Sequence, residues 1–289
     1  MDLISGLLLL LSTALAGVKN TLLKGYGGFS IKKREFFGIQ AIIFGAGSLA
    51  LFLVNLFSFD GVSSFTIFLA LIYGSMLLCA QWFYTLALSQ GKTAICVTIY
   101  SFGFIIPTLS GVIFWQESIT IFCILGILTI IPVLIISGTG KKQQKEVSSK
   151  KYLIPLIIAL VCSGGLGIIQ KIQQKSSYAS QTSTFILIAF LFSFVVSLLF
   201  FLFGKAGERK ITHKNARSCI IVGLTFSVCN LLNTHLAGAL DSAVFFPAIN
   251  IGSILLSVVL GLIIYKEKLT KRDVIVLALG ALAILLVNL

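Results

Sequence analysis

Charged residues are scarce in this 289-residue chain: they make up 11% of the sequence, and only nine of them are acidic. Hydrophobic residues make up 57%, and the mean hydropathy is +1.06. A water-soluble domain of this length cannot bury so large an apolar fraction beneath so few charges. The composition therefore excludes a soluble protein and predicts an integral membrane protein.

Residues that build catalytic and metal sites are also few. The two histidines, His213 and His235, lie 22 residues apart, and the six cysteines show no CxxC spacing. No HExxH or GxSxG motif occurs, and the short segments GKT and GTGKK lack the first glycine of a phosphate-binding loop. We therefore predict no enzyme activity, no catalytic residue, no metal site and no cofactor.

Long apolar windows recur along the chain, each of about 20 residues and long enough to cross roughly 30 Å of hydrocarbon as a helix. Ten can be placed, approximately at 3–23, 35–57, 65–88, 94–115, 119–138, 152–171, 183–204, 217–239, 243–264 and 271–288. Unbroken runs such as LIPLIIALVC lack the alternation of a membrane β-barrel. We predict an all-α, polytopic protein with ten transmembrane helices, formed by a single domain over residues 1–289.

Basic residues are distributed very unevenly between the two sides of the predicted bundle. Nineteen fall in the odd-numbered connections between spans, whereas the even-numbered connections carry only Lys171 and Lys175. Lysine and arginine concentrate in cytoplasmic loops. The pattern predicts a multi-pass protein of the cell (plasma) membrane with both termini outside and a basic cytoplasmic linker at 141–151.

The two halves of the chain match at an offset of 150 residues, as GVIFWQESIT and GLIIYKEKLT illustrate. Small or polar matched pairs are Gly17/Gly167, Ala87/Ala237, Gly103/Ser253, Gly111/Gly261, Glu117/Glu267 and Thr120/Thr270. Because five spans per half is an odd number, the second half must enter the membrane in the opposite orientation. Such inverted repeats are typical of secondary transporters. We predict repeat one at 1–140 and repeat two at 152–289.

The acidic residues all lie at or beyond the ends of predicted spans. Glu117 is expected outside, in a turn without lysine neighbours, whereas Glu267 is expected inside among several. Asp241 is predicted to be the N-cap of span 9. The lack of a mid-membrane carboxylate disfavours proton-coupled exchange of cationic drugs.

Two segments carry a resemblance to a known family. PTLSGVIFWQESITIFCILG (107–126) and FFPAINIGSILLSVVLGLIIYKEKLT (245–270) each combine a proline, a small-residue helix and a closing glutamate. In these features the chain resembles the ten-helix EamA-type permeases of the drug/metabolite transporter (DMT) superfamily, which consist of two inverted five-helix halves. The resemblance covers essentially the whole chain, although Ala16 replaces the family's tryptophan and Val276 a glycine. It implies a permease.

Polar residues inside the predicted spans are costly in hydrocarbon, so we expect them to face a cavity or a partner helix. The candidate substrate-binding residues are Lys19, Asn20, Gln81, Tyr84, Tyr100, Ser101, Asn230, Asn233, His235 and Asn250. The first six lie in the cytoplasmic half of the membrane and the last four from its middle outward. In the alternative interpretation, the asparagines only hydrogen-bond neighbouring helices and Lys19 extends to the cytoplasmic interface.

These patterns together predict a secondary permease that moves a small polar or zwitterionic metabolite by alternating access. The substrate would lie between spans 1, 3 and 4 and their counterparts 6, 8 and 9. We expect a small-molecule substrate and membrane lipid as partners and no nucleic acid, and the sequence leaves monomer and homodimer open. A lipid-headgroup flippase or a membrane enzyme is the alternative, and a non-transporting scaffold is a further one.

Overall fold

The computed structural model describes residues 3–24, 33–90, 93–138, 150–204, 213–264 and 271–287. Within these ranges the chain is helical and contains no strand. The helices are α1 (Leu3–Lys24), α2 (Lys33–Phe57), α3 (Ser64–Gln90), α4 (Thr93–Ser101), α5 (Ile105–Trp115), α6 (Ile121–Gly138), α7 (Leu153–Lys175), α8 (Thr182–Phe203), α9 (His213–Ala239), α10 (Ser242–Ile264) and α11 (Lys271–Val287). Each predicted window coincides with one helix, except that the fourth contains α4 and α5. The all-α prediction is confirmed.

Seven of the helices are long and apolar enough to cross a membrane, judged by length and composition: α1, α2, α3, α7, α8, α9 and α10. Three shorter apolar segments, Ile99–Trp115, Ile121–Ile136 and Val274–Leu286, correspond to the remaining predicted windows. The chain is therefore a multi-pass membrane protein. Ten complete crossings remain a prediction.

The fourth window is not one continuous α-helix. A single 3₁₀ turn at Phe102–Phe104 separates α4 from α5, and Pro107 lies three residues beyond it. Proline lacks an N–H group, and its ring clashes with the carbonyl four residues earlier, here that of Gly103. The tighter 3₁₀ turn at Gly103 is the local response to that clash. A mid-helix break of this kind frees backbone carbonyls inside the bundle.

The helix interfaces occur in pairs related by exchanging the two halves of the chain. The interface of α1 with α9 corresponds to that of α7 with α3, and that of α1 with α10 corresponds to that of α7 with α4 and α5. Two interfaces, α2 with α8 and α6 with α11, each join equivalent helices of the two halves. The largest apolar cluster, built around Phe44, Phe185, Phe190 and Phe226, lies between α2, α3, α8 and α9.

Two glycines at equivalent positions of the halves allow close helix approach. A Cβ atom on Gly17 would lie 2.7 Å from Leu256 Cδ2 on α10, and one on Gly167 would lie 2.8 Å from Pro107 Cβ on α5. Small residues of this kind are typical of helix interfaces in membranes, because they let backbones come close. The predicted Gly17/Gly167 match therefore falls on two equivalent interfaces.

We expect Gly167→Ala to lower the free energy of unfolding by about 1–3 kcal/mol, because the added methyl group overpacks a site bounded by a proline ring. Gly103→Ala is the matched control, since its added Cβ would have its nearest neighbour at 3.4 Å, an ordinary contact. Thermal unfolding of both variants in detergent micelles measures the difference. Equal melting temperatures would contradict the close approach at Gly167.

Candidate substrate-binding site

The C-terminal half of α7 carries a buried ion pair. Lys171 is 1% exposed and donates to the carboxylate of Glu117, which follows α5 and is 9% exposed. The Lys171 Nζ also donates to Ser242 Oγ at 2.7 Å and lies 5.5 Å from the centroid of the Trp115 ring. The second carboxylate oxygen of Glu117 accepts the backbone N–H of Ser242 at 2.7 Å. This ion-pair cluster joins α7, the turn after α5 and the first residue of α10.

The ion pair corrects the expectation that Glu117 has no lysine neighbours. Gln116 adopts a left-handed conformation (φ 54°), and the N–H of Glu117 donates to the Gly111 carbonyl at 3.2 Å. The turn brings Glu117 to the N-terminus of α10, where a carboxylate satisfies a free N–H group and interacts favourably with the helix dipole. Asp241 precedes α10 as expected, but the carboxylate that accepts the Ser242 N–H comes from Glu117. Glu267 lies outside the described residues.

A second polar cluster lies deeper, between α3, α7 and α9. Tyr73, 1% exposed, donates its hydroxyl proton to Asn230 Oδ1 at 2.6 Å. Gln170 donates from Nε2 to the Tyr73 hydroxyl at 3.0 Å and to Thr234 Oγ1 at 3.1 Å. The Asn230 amide in turn donates to the Phe226 carbonyl at 2.8 Å. This amide network satisfies its members through one another, so Asn230 joins helices in the present conformation.

Lys19 lies on α1 at the interface with α9. Its Nζ lies 4.4 Å from the centroid of the Phe226 ring, and the side chain is only partly exposed. One and two turns further along α9, Cys229 and Asn233 meet α1 at Ser12, which donates to Asn233 Oδ1 at 2.5 Å. Lys19 therefore points toward the centre of the bundle rather than to the nearby end of α1.

An aromatic pair lies where α3 meets α4. Tyr84 and Tyr100 stack with ring centroids 4.1 Å apart. Gln81 is one turn before Tyr84, partly exposed, and its amide forms no hydrogen bond within the described part of the chain. On α10, Asn250 donates to the Ser101 carbonyl at 3.3 Å, next to the 3₁₀ turn, while its buried Oδ1 has no partner among the described residues. Among the described residues, side-chain amide atoms without a hydrogen-bond partner are thus present on α3 and α10.

The remaining two candidates are placed apart from these clusters. The side chains of Asn20 and His235 are both exposed. On α9, His235 follows Asn230 by five residues, so it lies about 140° around the helix from it. The structure therefore does not bring His235 to the α9 face that carries Asn230 and Asn233. Tyr73 and Thr234 were absent from the candidate set, although both belong to the amide network.

Comparison with known proteins supports the resemblance. Residues 150–289 match the model of the EamA-like transporter family. The second half of the chain is therefore similar to the EamA-like transporter family, which is part of the DMT superfamily. The match begins within two residues of the predicted start of repeat two. No curated protein matches the chain.

Solved structures extend the likeness over the full length. A crystal structure of a protein with 13% identity superposes with a TM-score of 0.77 and covers 100% of this chain and 98% of its own. At this identity the similarity concerns the fold alone. It includes the first half, which lies outside the family match, so both halves of the chain adopt a fold that is present in a solved structure.

Proposed function

We propose that the protein is a secondary permease that moves a small polar or zwitterionic metabolite across the cell membrane by alternating access, using two inverted five-helix repeats. The substrate lies between α1, α3, α4 and α5 of repeat one (1–140) and α7, α9 and α10 of repeat two (152–289). Both termini lie outside, following the distribution of basic residues.

This proposal rests on an asymmetry between the two halves: α7 contacts α9, whereas the equivalent helices α1 and α3 form no corresponding interface within the described ranges. α7 packs against α9, and the amide network joins the C-terminal halves of these two helices. The ion-pair cluster connects the same end of α7 to the first residue of α10. The equivalent pair, α1 with α3, forms no corresponding interface within the described ranges. Under the proposed topology, α7 and α9 close the outer side while α1 and α3 leave the cytoplasmic side open. Inverted repeats with one closed and one open face are expected of an alternating-access carrier.

Repeat-equivalent residues support the same interpretation. At the offset of 150, Gln170 and Thr234, which are hydrogen-bonded, correspond to Asn20 and Tyr84. Asn20 is exposed, as expected if α1 and α3 are separated in this conformation. In the opposite conformation we expect Asn20 to approach Tyr84 while the α7–α9 contact opens.

We expect Gln81→Leu to abolish transport and leave the melting temperature unchanged, because its amide is partly exposed and has no partner among the described residues. Purified protein in vesicles is tested for uptake or exchange of amino acids, nucleosides, sugars and quaternary amines. The matched control is Gln90→Leu, an exposed glutamine at the end of the same helix. Normal transport by Gln81→Leu would show that Gln81 does not bind the substrate. A wild-type protein that transports no solute would contradict the proposed permease function.

A further inference from the structure

Lys19 places a cation deep in the bundle. Phe226, whose ring faces the Lys19 ammonium, is the central residue of α9 (His213–Ala239). Side chains lean toward the N-terminus of their helix, so a lysine near the C-terminal end of α1 directs its stem away from that end. The geometry therefore excludes the alternative in which Lys19 extends to the nearer interface.

The Lys19 ammonium has no counterion of its own within the described part of the chain. The buried ion pair of the described residues joins Glu117 to Lys171 and does not include Lys19. The Phe226 ring interacts favourably with the cation, but an aromatic ring offsets only part of the cost of removing an ammonium from water. A cation left in this state inside a membrane protein marks a site for an anionic partner.

The fold itself does not require a charge at this position. At the offset of 150, Lys19 corresponds to Ile169, which is buried in the apolar cluster of α2, α3, α8 and α9. The equivalent positions share the same helix and repeat context, yet one carries an apolar side chain and the other an ammonium. A purely structural role would be met by an apolar residue in both halves.

Polar groups beside Lys19 suit an anion as well. Asn233 donates from Nδ2 to the Cys229 Sγ at 3.6 Å, and sulfur is a weak acceptor. The amide N–H groups of Asn233 therefore remain available for a stronger acceptor. Both Lys19 and Asn233 are partly exposed, so a solute in the interior can reach them.

We propose that Lys19 binds an anionic group, a carboxylate or a phosphate monoester, of a water-soluble solute in the interior, with Asn233 as a second donor. This inference rests on the proposed function, because it names the charge of the transported metabolite. Lys19, which has no counterion among the described residues, forms an ion pair with the anionic group of the solute. The rest of the solute extends toward Gln81 and Asn250.

The test is a binding and uptake series with purified full-length protein in phosphatidylcholine vesicles. Each probe that carries an anionic group is paired with an analogue that lacks this group: lactate with lactamide, alanine with alaninamide, and glycerol 3-phosphate with glycerol. We expect at least one anionic probe to bind and its analogue to fail. Lys19→Met should weaken that binding at least tenfold, Lys19→Arg should restore most of it, and Lys175→Met, an exposed lysine, should match the wild type.

The outcomes separate this inference from the permease. If only uncharged or cationic solutes are taken up, and Lys19→Met does not change their uptake, the anion site is wrong and the permease function is supported. If an anionic probe binds in a Lys19-dependent manner but is not taken up, the anion site is supported and the permease function is contradicted. If only added phosphatidylglycerol gives a Lys19-dependent effect, the occupant is a lipid headgroup and the proposal of a soluble solute is wrong.

Discussion

Lys171→Met is expected to lower the free energy of unfolding by about 3–5 kcal/mol, because it leaves the Glu117 carboxylate buried without its cation. The carboxylate still accepts the Ser242 N–H, but a single neutral donor does not replace an ammonium. Transport should slow as well, since the ion-pair cluster connects α7 to the first residue of α10 on the side that α7 and α9 close. Chemical or thermal unfolding in micelles and uptake into vesicles measure the two effects.

Two further variants decide whether loss of the Lys171–Glu117 ion pair causes the lower stability of Lys171→Met. Lys175→Met removes the same charge from an exposed position on the same helix and should change stability by less than about 0.5 kcal/mol. The double variant Lys171→Met/Glu117→Gln should be more stable than the sum of the single losses predicts, because neither charge then remains unpaired. Strictly additive losses, or equal effects of Lys171→Met and Lys175→Met, would contradict the ion-pair cluster.

Asn230→Leu should cost about 1–3 kcal/mol, because the buried Tyr73 hydroxyl loses the acceptor of its proton. The structure thereby assigns different roles to Asn230 and Asn250, which the sequence analysis placed together as candidate substrate-binding residues. Asn250→Leu loses one 3.3 Å hydrogen bond and an oxygen that has no partner among the described residues, so it should retain stability and lose substrate affinity. Melting temperatures and uptake rates of the two variants provide the comparison.

A second change in the amide network provides the control for Asn230. Adding Tyr73→Phe to Asn230→Leu removes the orphaned hydroxyl proton, so part of the lost stability should return. If Asn230→Leu and Asn250→Leu lower the melting temperature equally, the assignment of a structural role to one and a binding role to the other is wrong.

The helices were predictable from sequence because hydrocarbon requires long apolar windows, and each of these windows coincides with one helix except the fourth, which contains α4 and α5. The Gly17/Gly167 match, which supported the predicted repeat, falls at two positions where helices approach closely. The partners of polar side chains were not predictable, because they depend on which helices are neighbours. Lys171 and Glu117 are separated by 54 residues and meet only when α7 packs beside the turn after α5.

Some of the candidate site could have been refined without a structure. Asn230, Asn233 and Thr234 share the spacing of one helix face, whereas His235 lies on another. Applied to α9, this spacing favours a role for Thr234 and places His235 apart from the others. No sequence pattern distinguishes Tyr73 from other aromatic residues in apolar spans. Its role becomes evident only in the structure, where its hydroxyl lies between Gln170 and Asn230.

Membrane sidedness of α1 relative to α7 is the most direct test of the inverted arrangement. Single cysteines are introduced at Lys24 and at Lys175, the ends of these helices, after the six native cysteines have been replaced. A membrane-impermeant thiol reagent added to intact cells should label Lys175→Cys and leave Lys24→Cys unlabelled until the membrane is opened. Labelling of both positions from the same side would show that the halves are inserted alike and would contradict the proposed transport mechanism.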